Sequence, residues 1–303
     1  MNDIAEKIQK LKKERNAVIL AHNYQISEVQ DIADYIGDSL GLSIEASRTK
    51  ADVIVFCGVY FMAETAKILS PEKTVLIPDS NAGCPMADMI TAEGLRDLKK
   101  KHPGSKVLCY VNTPAEVKAE CDICCTSSNA MKVAEKAFGK DEKVIFAPDK
   151  NLAMYVASQL GREFILWPGY CPTHAKILPE HVLKIKNEHP EAFVIVHPEC
   201  SPAVIKIADM ALSTGGMQTF VKKSDRASFI IGTELGLIHR LEKENPGRKF
   251  YHVSEKAVCP NMKKINLEKI MYSLQEMKEQ VVLSEEIISK AKKSIERMME
   301  YVD

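Results

Sequence analysis

Four short apolar runs recur three times along this chain, each time in the same order. The first run is Val18–Ala21, Val107–Cys109 and Phe193–Val196 in the three copies, and a second lies near Tyr35, Ile123 and Met210. A third is Val53–Phe56, Val144–Ala147 and Phe229–Gly232, and a fourth Thr74–Pro78, Glu163–Trp167 and Lys249–Val253. Runs of this length, bounded by polar residues, suit parallel strands buried on both faces. Amphipathic stretches between them, such as Glu64–Leu69 and Leu152–Leu160, read as helices. Alternation of this kind predicts a small parallel sheet with helices on both faces in each copy. The fold class expected is α/β: three pseudo-symmetric αβα domains around a central cavity.

The connections repeat as well. Helical segments Ala92–Lys101, Pro179–Glu188 and Leu267–Lys278 follow the fourth runs, and Asp3–Arg15 leads into the first copy in the same way. A charged helix, Ser284–Tyr301, falls outside the repeat and is expected to pack back near the N-terminus. The domain bounds are then 1–88, with 263–303 returning to it, 89–175 and 176–262.

Polar columns mark the strand ends. His22, Tyr110 and His197 share one position, and Asp34, Asp122 and Asp209 share another twelve residues later. Ser39, Ser127 and Thr214 follow, and each copy ends in Cys-Pro at Cys84, Cys171 and Cys259, which are 87 and 88 positions apart. That period is too long for a solenoid unit and fits a small α/β domain. Ligands in open α/β sheets bind beyond the carboxyl ends of the strands. Three like domains in a ring would bring these columns to one axis. The lining is asymmetric: His, Tyr, His in one column, and Tyr24, Asn112, Glu199 two residues on. Such a lining suits a small, asymmetric, polar substrate. Glu199 is the only carboxylate of its column and the candidate for proton transfer, and its position two residues after His197 at a strand end puts both side chains on the same side.

The nine cysteines sort by the repeat. Cys121, Cys124 and Cys125 form a CxxC, but they align with Ala33, Ile36 and Gly37 in copy one, so they read as small core residues. Cys109 and Cys57 read the same way, and Cys200 stays open. Only Cys84, Cys171 and Cys259 recur in every copy. Three thiolates leave one coordination position free, a pattern of catalytic zinc or of a 4Fe–4S cluster with one accessible iron. His174, three residues after Cys171, is either a fourth ligand or a substrate contact.

Composition narrows the class. Lysine plus arginine and aspartate plus glutamate both total 41, so no basic field favours nucleic acid. No apolar run reaches membrane length, and the charged N-terminal helix is no signal peptide. An odd cysteine count without secretory features suits a reducing cytoplasm.

Taken together, AHNYQ, GDSL, FMAETAKIL, AGCPMADM, HPEC, STGGM and CPNMK resemble the quinolinate synthase family, from about Ala17 to about Ile270. The resemblance implies three pseudo-symmetric αβα domains and a 4Fe–4S cluster on Cys84, Cys171 and Cys259. It implies condensation of iminoaspartate with dihydroxyacetone phosphate in NAD biosynthesis, with possible hand-off from an iminoaspartate-forming enzyme. It maps catalytic roles onto His22, Tyr24, Tyr110, His197 and Glu199, and substrate binding onto Ser39, Asn112, Ser127, His174 and Thr214. Some bacterial members carry CxxCxxC at the last ligand. Here Pro260-Asn261-Met262 follows Cys259, so no disulfide switch is expected there. The rival class is another lyase or dehydratase that uses the three cysteines for a Lewis-acid iron–sulfur or zinc site.

Overall fold

The computed structural model describes residues 2–302. Met1 and Asp303, the outer ends of the expected first domain and C-terminal helices, lie outside the described residues. The first repeat runs α1 (Asn2–Glu14), β1 (Ala17–His22), α2 (Ser27–Ile32), β2 (Tyr35–Gly37), α3 (Ser39–Arg48), β3 (Val53–Cys57), α4 (Tyr60–Leu69) and β4 (Thr74–Leu76). The second runs α5 (Ala92–Lys101), β5 (Lys106–Tyr110), α6 (Ala115–Lys118), β6 (Ile123–Cys125), α7 (Ala130–Lys136), β7 (Val144–Ala147), α8 (Lys150–Leu160) and β8 (Ile165–Leu166). The third runs α9 (Pro179–Glu188), β9 (Phe193–Val196), α10 (Pro202–Ile207), β10 (Met210–Ala211), α11 (Thr214–Lys223), β11 (Ser228–Gly232), α12 (Leu237–Glu244) and β12 (Lys249–His252). Two helices close the chain, α13 (Leu267–Glu276) and α14 (Glu285–Met299).

The three sheets are four-stranded, parallel and identically ordered: β2-β1-β3-β4, β6-β5-β7-β8 and β10-β9-β11-β12. The expected αβα architecture is therefore present three times. The two central strands of each sheet are almost wholly apolar and buried, as a sheet covered on both faces requires.

The aspartate column has a structural task. Asp34 Oδ2 accepts the N–H of Ile19, Asp122 Oδ2 that of Val107 and Asp209 Oδ2 that of Val194, each at 2.8 Å. The backbone N–H of each aspartate in turn reaches the carbonyl of that same partner. The side chain thus extends a ladder whose edge strand is only two or three residues long.

The edges are also managed. Past α13, residues 279–281 run antiparallel beside β4, with Ile77 N–H on the Glu279 carbonyl and Val281 N–H on the Val75 carbonyl. The sequence reading places both C-terminal helices on the first repeat. Helix α13 does lie against α1, but α14 lies on β6 and α6 as well as on α4. The reason is chemical: β6 is Ile-Cys-Cys, fully buried, whereas the equivalent edges β2 and β10 are partly exposed. Ala291, Ile295 and Met298 of α14 cover β6, while Ser294 takes the Cys124 thiol and donates to the Lys118 carbonyl.

Trp167, the single tryptophan, ends the fourth run of the second repeat. Its indole N–H reaches the Met89 carbonyl at 3.0 Å, and its ring sits over Gly94, where an added Cβ would come to 2.9 Å.

Replacing Asp209 by Ala leaves the Val194 N–H without this acceptor. A stability loss of about 1 kcal/mol is expected, read as a lower urea midpoint at unchanged slope. An unchanged midpoint would show that the clamp contributes nothing.

Candidate active site

The carboxyl ends of the strands open onto one cavity of about 70 Å³. Its wall includes every site residue expected from the sequence: His22, Tyr24, Ser39, Cys84, Tyr110, Asn112, Ser127, Cys171, His174, His197, Glu199, Thr214 and Cys259.

The two histidines of the first column sit in the same local turn. His22 Nδ1 accepts the N–H of Tyr24 at 3.2 Å, and His197 Nδ1 that of Glu199 at 3.3 Å. Each ring therefore carries its hydrogen on Nε2. In His197 that atom is 3.2 Å from Ser127 Oγ. Burial pulls both imidazoles down to about 3, against the opposing pull of Glu199, so both are neutral at physiological pH. Strand β9 ends at Val196, so His197 and Glu199 face one side through this turn and not through strand alternation. The expectation of a shared side holds, and the reason given for it does not.

Glu199 is 3% exposed and sits at the centre. Tyr110 Oη donates to Oε1 at 2.5 Å, and His174 Nδ1 lies 2.7 Å from Oε2. Burial works to raise its pKa, but His174, His197 and Tyr110 outweigh it and hold the carboxyl below the usual range. Asp149, also fully buried, is pushed well above that range by burial and then by the Glu199 charge. The two carboxyl groups are thereby pushed apart, Glu199 downward and Asp149 upward.

The other edge of His174 continues the network. Its Nε2 is 2.9 Å from Thr233 Oγ1, which is 2.6 Å from Tyr24 Oη. The ring stacks on His197 with centroids 4.6 Å apart.

The hydroxyl column closes the opposite wall. Ser39 and Thr214 are the first residues of α3 and α11, and Ser127 precedes α7. Asn23 Nδ2 donates to Thr214 Oγ1 at 2.9 Å, and Gln218 and Arg240 donate to Asn23 Oδ1 at the same distance. Thr214 and Ser127 thus receive hydrogen bonds from behind, which frees their own O–H bonds for the cavity. The Asn112 amide oxygen is buried with no protein partner. Between the repeats, Ser128 Oγ bonds both Asp38 and Ser213.

Each of the three Cys-Pro pairs leads into a 3₁₀ turn: Ala87–Met89, His174–Lys176 and Met262–Lys264. The backbone N–H groups of Ala87, His174 and Met262 point at the sulfurs of Cys84, Cys171 and Cys259. Burial pushes the Cys84 thiol up to about 12, Cys171 well above its ordinary value, and Cys259 up despite Lys263. Three thiolates in this dry wall call for a cation, so the donor set fits a thiophilic metal centre. The ligating atoms of Cys171, His174 and Glu199 also lie within 4.8 Å of one another. His174 Nδ1 is 3.2 Å from Cys171 Sγ but only 2.7 Å from Glu199, whose carboxylate is the stronger acceptor. Cys57, Cys109, Cys124, Cys125 and Cys200 are completely buried core residues, and Cys121 donates to the Val117 carbonyl.

Sequence reasoning missed Asn23, Thr233, Glu234, Arg240 and Lys263. Thr233 and Glu234 lie past the third strands, whose ends also form a column, Gly58-Val59, Pro148-Asp149 and Thr233-Glu234. Reading that column would have found them.

A threefold αβα scaffold whose strand ends enclose polar side chains and three recurrent cysteines defines an enzyme. The family model described as quinolinate synthetase A protein matches residues 6–300. The quinolinate synthase of Dehalococcoides mccartyi (strain CBDB1) is 54% identical over 299 residues, 99% of this chain and 98% of that one. That of Methanosarcina barkeri is 55% identical over 297 residues, 98% and 97% of the two chains, and that of Geobacter metallireducens is 54% identical over 296, again 98% and 97%. The chain belongs to the quinolinate synthase family. Among the described residues no helix is long and apolar enough to cross a membrane.

The buried histidines make a pH prediction. His22 and His197 titrate near 6.5 when unfolded and about 3 when folded, so between those values the unfolded chain binds more protons. Stability must fall as the pH is lowered through that window, and Glu199, with its lowered pKa, adds to the fall below about 4.5. Urea midpoints of the metal-free chain should decline from pH 7 to 4, and His22→Asn should flatten the profile. A flat wild-type profile would contradict the neutral buried histidines.

Proposed function

We propose that this cavity condenses iminoaspartate with dihydroxyacetone phosphate, giving quinolinate, phosphate and water, with a 4Fe–4S cluster on Cys84, Cys171 and Cys259. One observation carries the reading. The three Cys-Pro turns, each with a backbone N–H aimed at sulfur, face the same cavity as the asymmetric polar column. Bound there, the cluster supplies Lewis acidity at the iron that lacks a thiolate.

The rest is the work of side chains. Ser39, Ser127 and Thr214 hold the phosphate, helped by the N-terminal ends of the ten-residue helices α3 and α11. The free O–H bonds of Thr214 and Ser127 are donors, as a phosphate oxygen needs. Asn112 orients the dicarboxylate by donating from its amide NH2 group. Glu199, ionised, receives the proton that the substrate gives up, and Tyr110 and His174 steady its charge. His22 is neutral and donates through Nε2 to substrate oxygens as phosphate and water leave, while the Nε2–H of neutral His197 stays on Ser127 and keeps the Ser127 O–H free. No net electron transfer is required. The chain works in the cytoplasm and takes iminoaspartate from the enzyme that forms it.

The direct test is anaerobic quinolinate formation from the two substrates, with iron and sulfide analysis. Zinc in place of iron and sulfide would favour a zinc-dependent lyase. Ala at Cys84, Cys171 or Cys259 should abolish iron binding. Ala at Cys124 should keep the iron and cost about 1–2 kcal/mol of packing. The reverse pattern would overturn the ligand assignment.

Glu199→Gln should retain fold and iron while turnover falls by about two to four orders of magnitude. Normal turnover in that variant would move proton transfer to His22 or His197.

A further inference from the structure

Two residues past the third strands, the repeats differ in a way that bears on the cysteine arms. The ends of β3, β7 and β11 are in register, because Cys57, Ala147 and Gly232 pair with Ala21, Cys109 and Val196. The next column but one reads Val59, Asp149, Glu234.

Glu234 is fully buried. Its Oε1 accepts the N–H of Cys259 at 3.0 Å, and its Oε2 that of Gly236 at 2.7 Å. Lys263, in the 3₁₀ turn after Cys259, lies 2.9 Å from Oε1 and donates to the Tyr24 carbonyl. One carboxylate therefore ties the Cys259 arm to the strand end that carries His22 and Tyr24. The fit is close: a Cβ on Gly236 would meet the Gln25 carbonyl, Glu234 Oε2 and Lys263 Nζ, each at 2.9 Å. Asp149 stands in the equivalent place in the second repeat. It caps α8 by accepting the Leu152 N–H at 2.7 Å, but its second oxygen is buried with no hydrogen-bond partner, so it makes no tie to the cysteine arm like that of Glu234. Val59 offers the Cys84 arm no acceptor.

We infer that Glu234 is a positioning residue that holds Cys259 in ligating geometry ahead of the metal, so that the Cys84 arm, which has only Val59 in that place, yields before it during loading and release. The inference rests on the three-cysteine reading above. Groups that orient metal ligands from behind typically change metal affinity ten- to a hundredfold. Glu234 acts through the backbone of the ligand, where an apolar residue cannot substitute.

The test uses the full chain, anaerobically loaded with iron and sulfide, and follows iron release to a ferrous chelator. Glu234→Ala should release iron about tenfold faster than wild type with an unchanged circular dichroism spectrum. Glu234→Gln, which keeps an oxygen for the Cys259 N–H, should recover most of the difference. Gly236→Ala, which displaces the same carboxylate, should resemble Glu234→Ala. Should these variants fail to fold, hydrogen exchange of the wild-type chain before and after iron removal decides. The peptide containing Cys259 should stay protected, and that containing Cys84 should lose protection. Equal release rates, or equal exchange of the two peptides after iron removal, would overturn the inference. A wild-type chain that binds no iron would instead sink the three-cysteine reading.

Discussion

A carboxylate with 3% exposure sits at the centre of this molecule, and much of the arrangement follows from keeping it satisfied. Burying an ionised group costs several kcal/mol unless donors replace the lost water. Glu199 belongs to the third repeat, yet its donors, Tyr110 and His174, come from the second and from the turn that follows it. Asn151 of the second repeat fixes its carbonyl. The charge therefore specifies how two of the three domains meet. His174, once committed to Glu199, turns its other nitrogen to Thr233 and so to Tyr24 of the first repeat. One acidic side chain thus organises contacts among all three domains.

The threefold scaffold divides its columns by purpose. Columns that stay chemically constant repeat the same local structure. The aspartates close the sheet ladders in all three copies at the same distance, and the cysteines enter the same kind of turn. Columns that diverge, His/Tyr/His and Tyr/Asn/Glu, line the cavity. Repetition makes the frame, and departure from repetition makes an asymmetric surface for an asymmetric reaction.

This division also explains what could be read from the sequence. The strands were legible because buried parallel strands need unbroken apolar runs, and three copies in one order leave little room for a wrong assignment. The cavity lining was legible for the same reason. Of the CxxC, Cys124 is buried core, as its alignment with isoleucine implies, and α14 covers its strand, while Cys121 is only partly buried. The position of α14 itself was hidden, since an amphipathic helix outside the repeat does not say which edge it covers. Equally hidden were Asn23, Arg240 and Lys263, which act on other side chains or backbone and occupy no recurrent column. The reach of His197 and Glu199 to one side came from a turn that begins where β9 stops, and periodicity along a strand cannot describe a turn.

The lone tryptophan has a use beyond packing. Trp167 bridges the end of the second sheet to the Met89–Gly94 segment that follows the Cys84 turn, with its indole hydrogen bond and its ring both on that segment. With no other indole in the chain, ultraviolet emission reports this seam alone, without any label. Both ends of that contact belong to the second repeat, so a loosening of that repeat changes the colour of the fluorophore while a rearrangement confined to the third leaves it unaltered. The protein carries its own optical gauge of how its middle domain holds together.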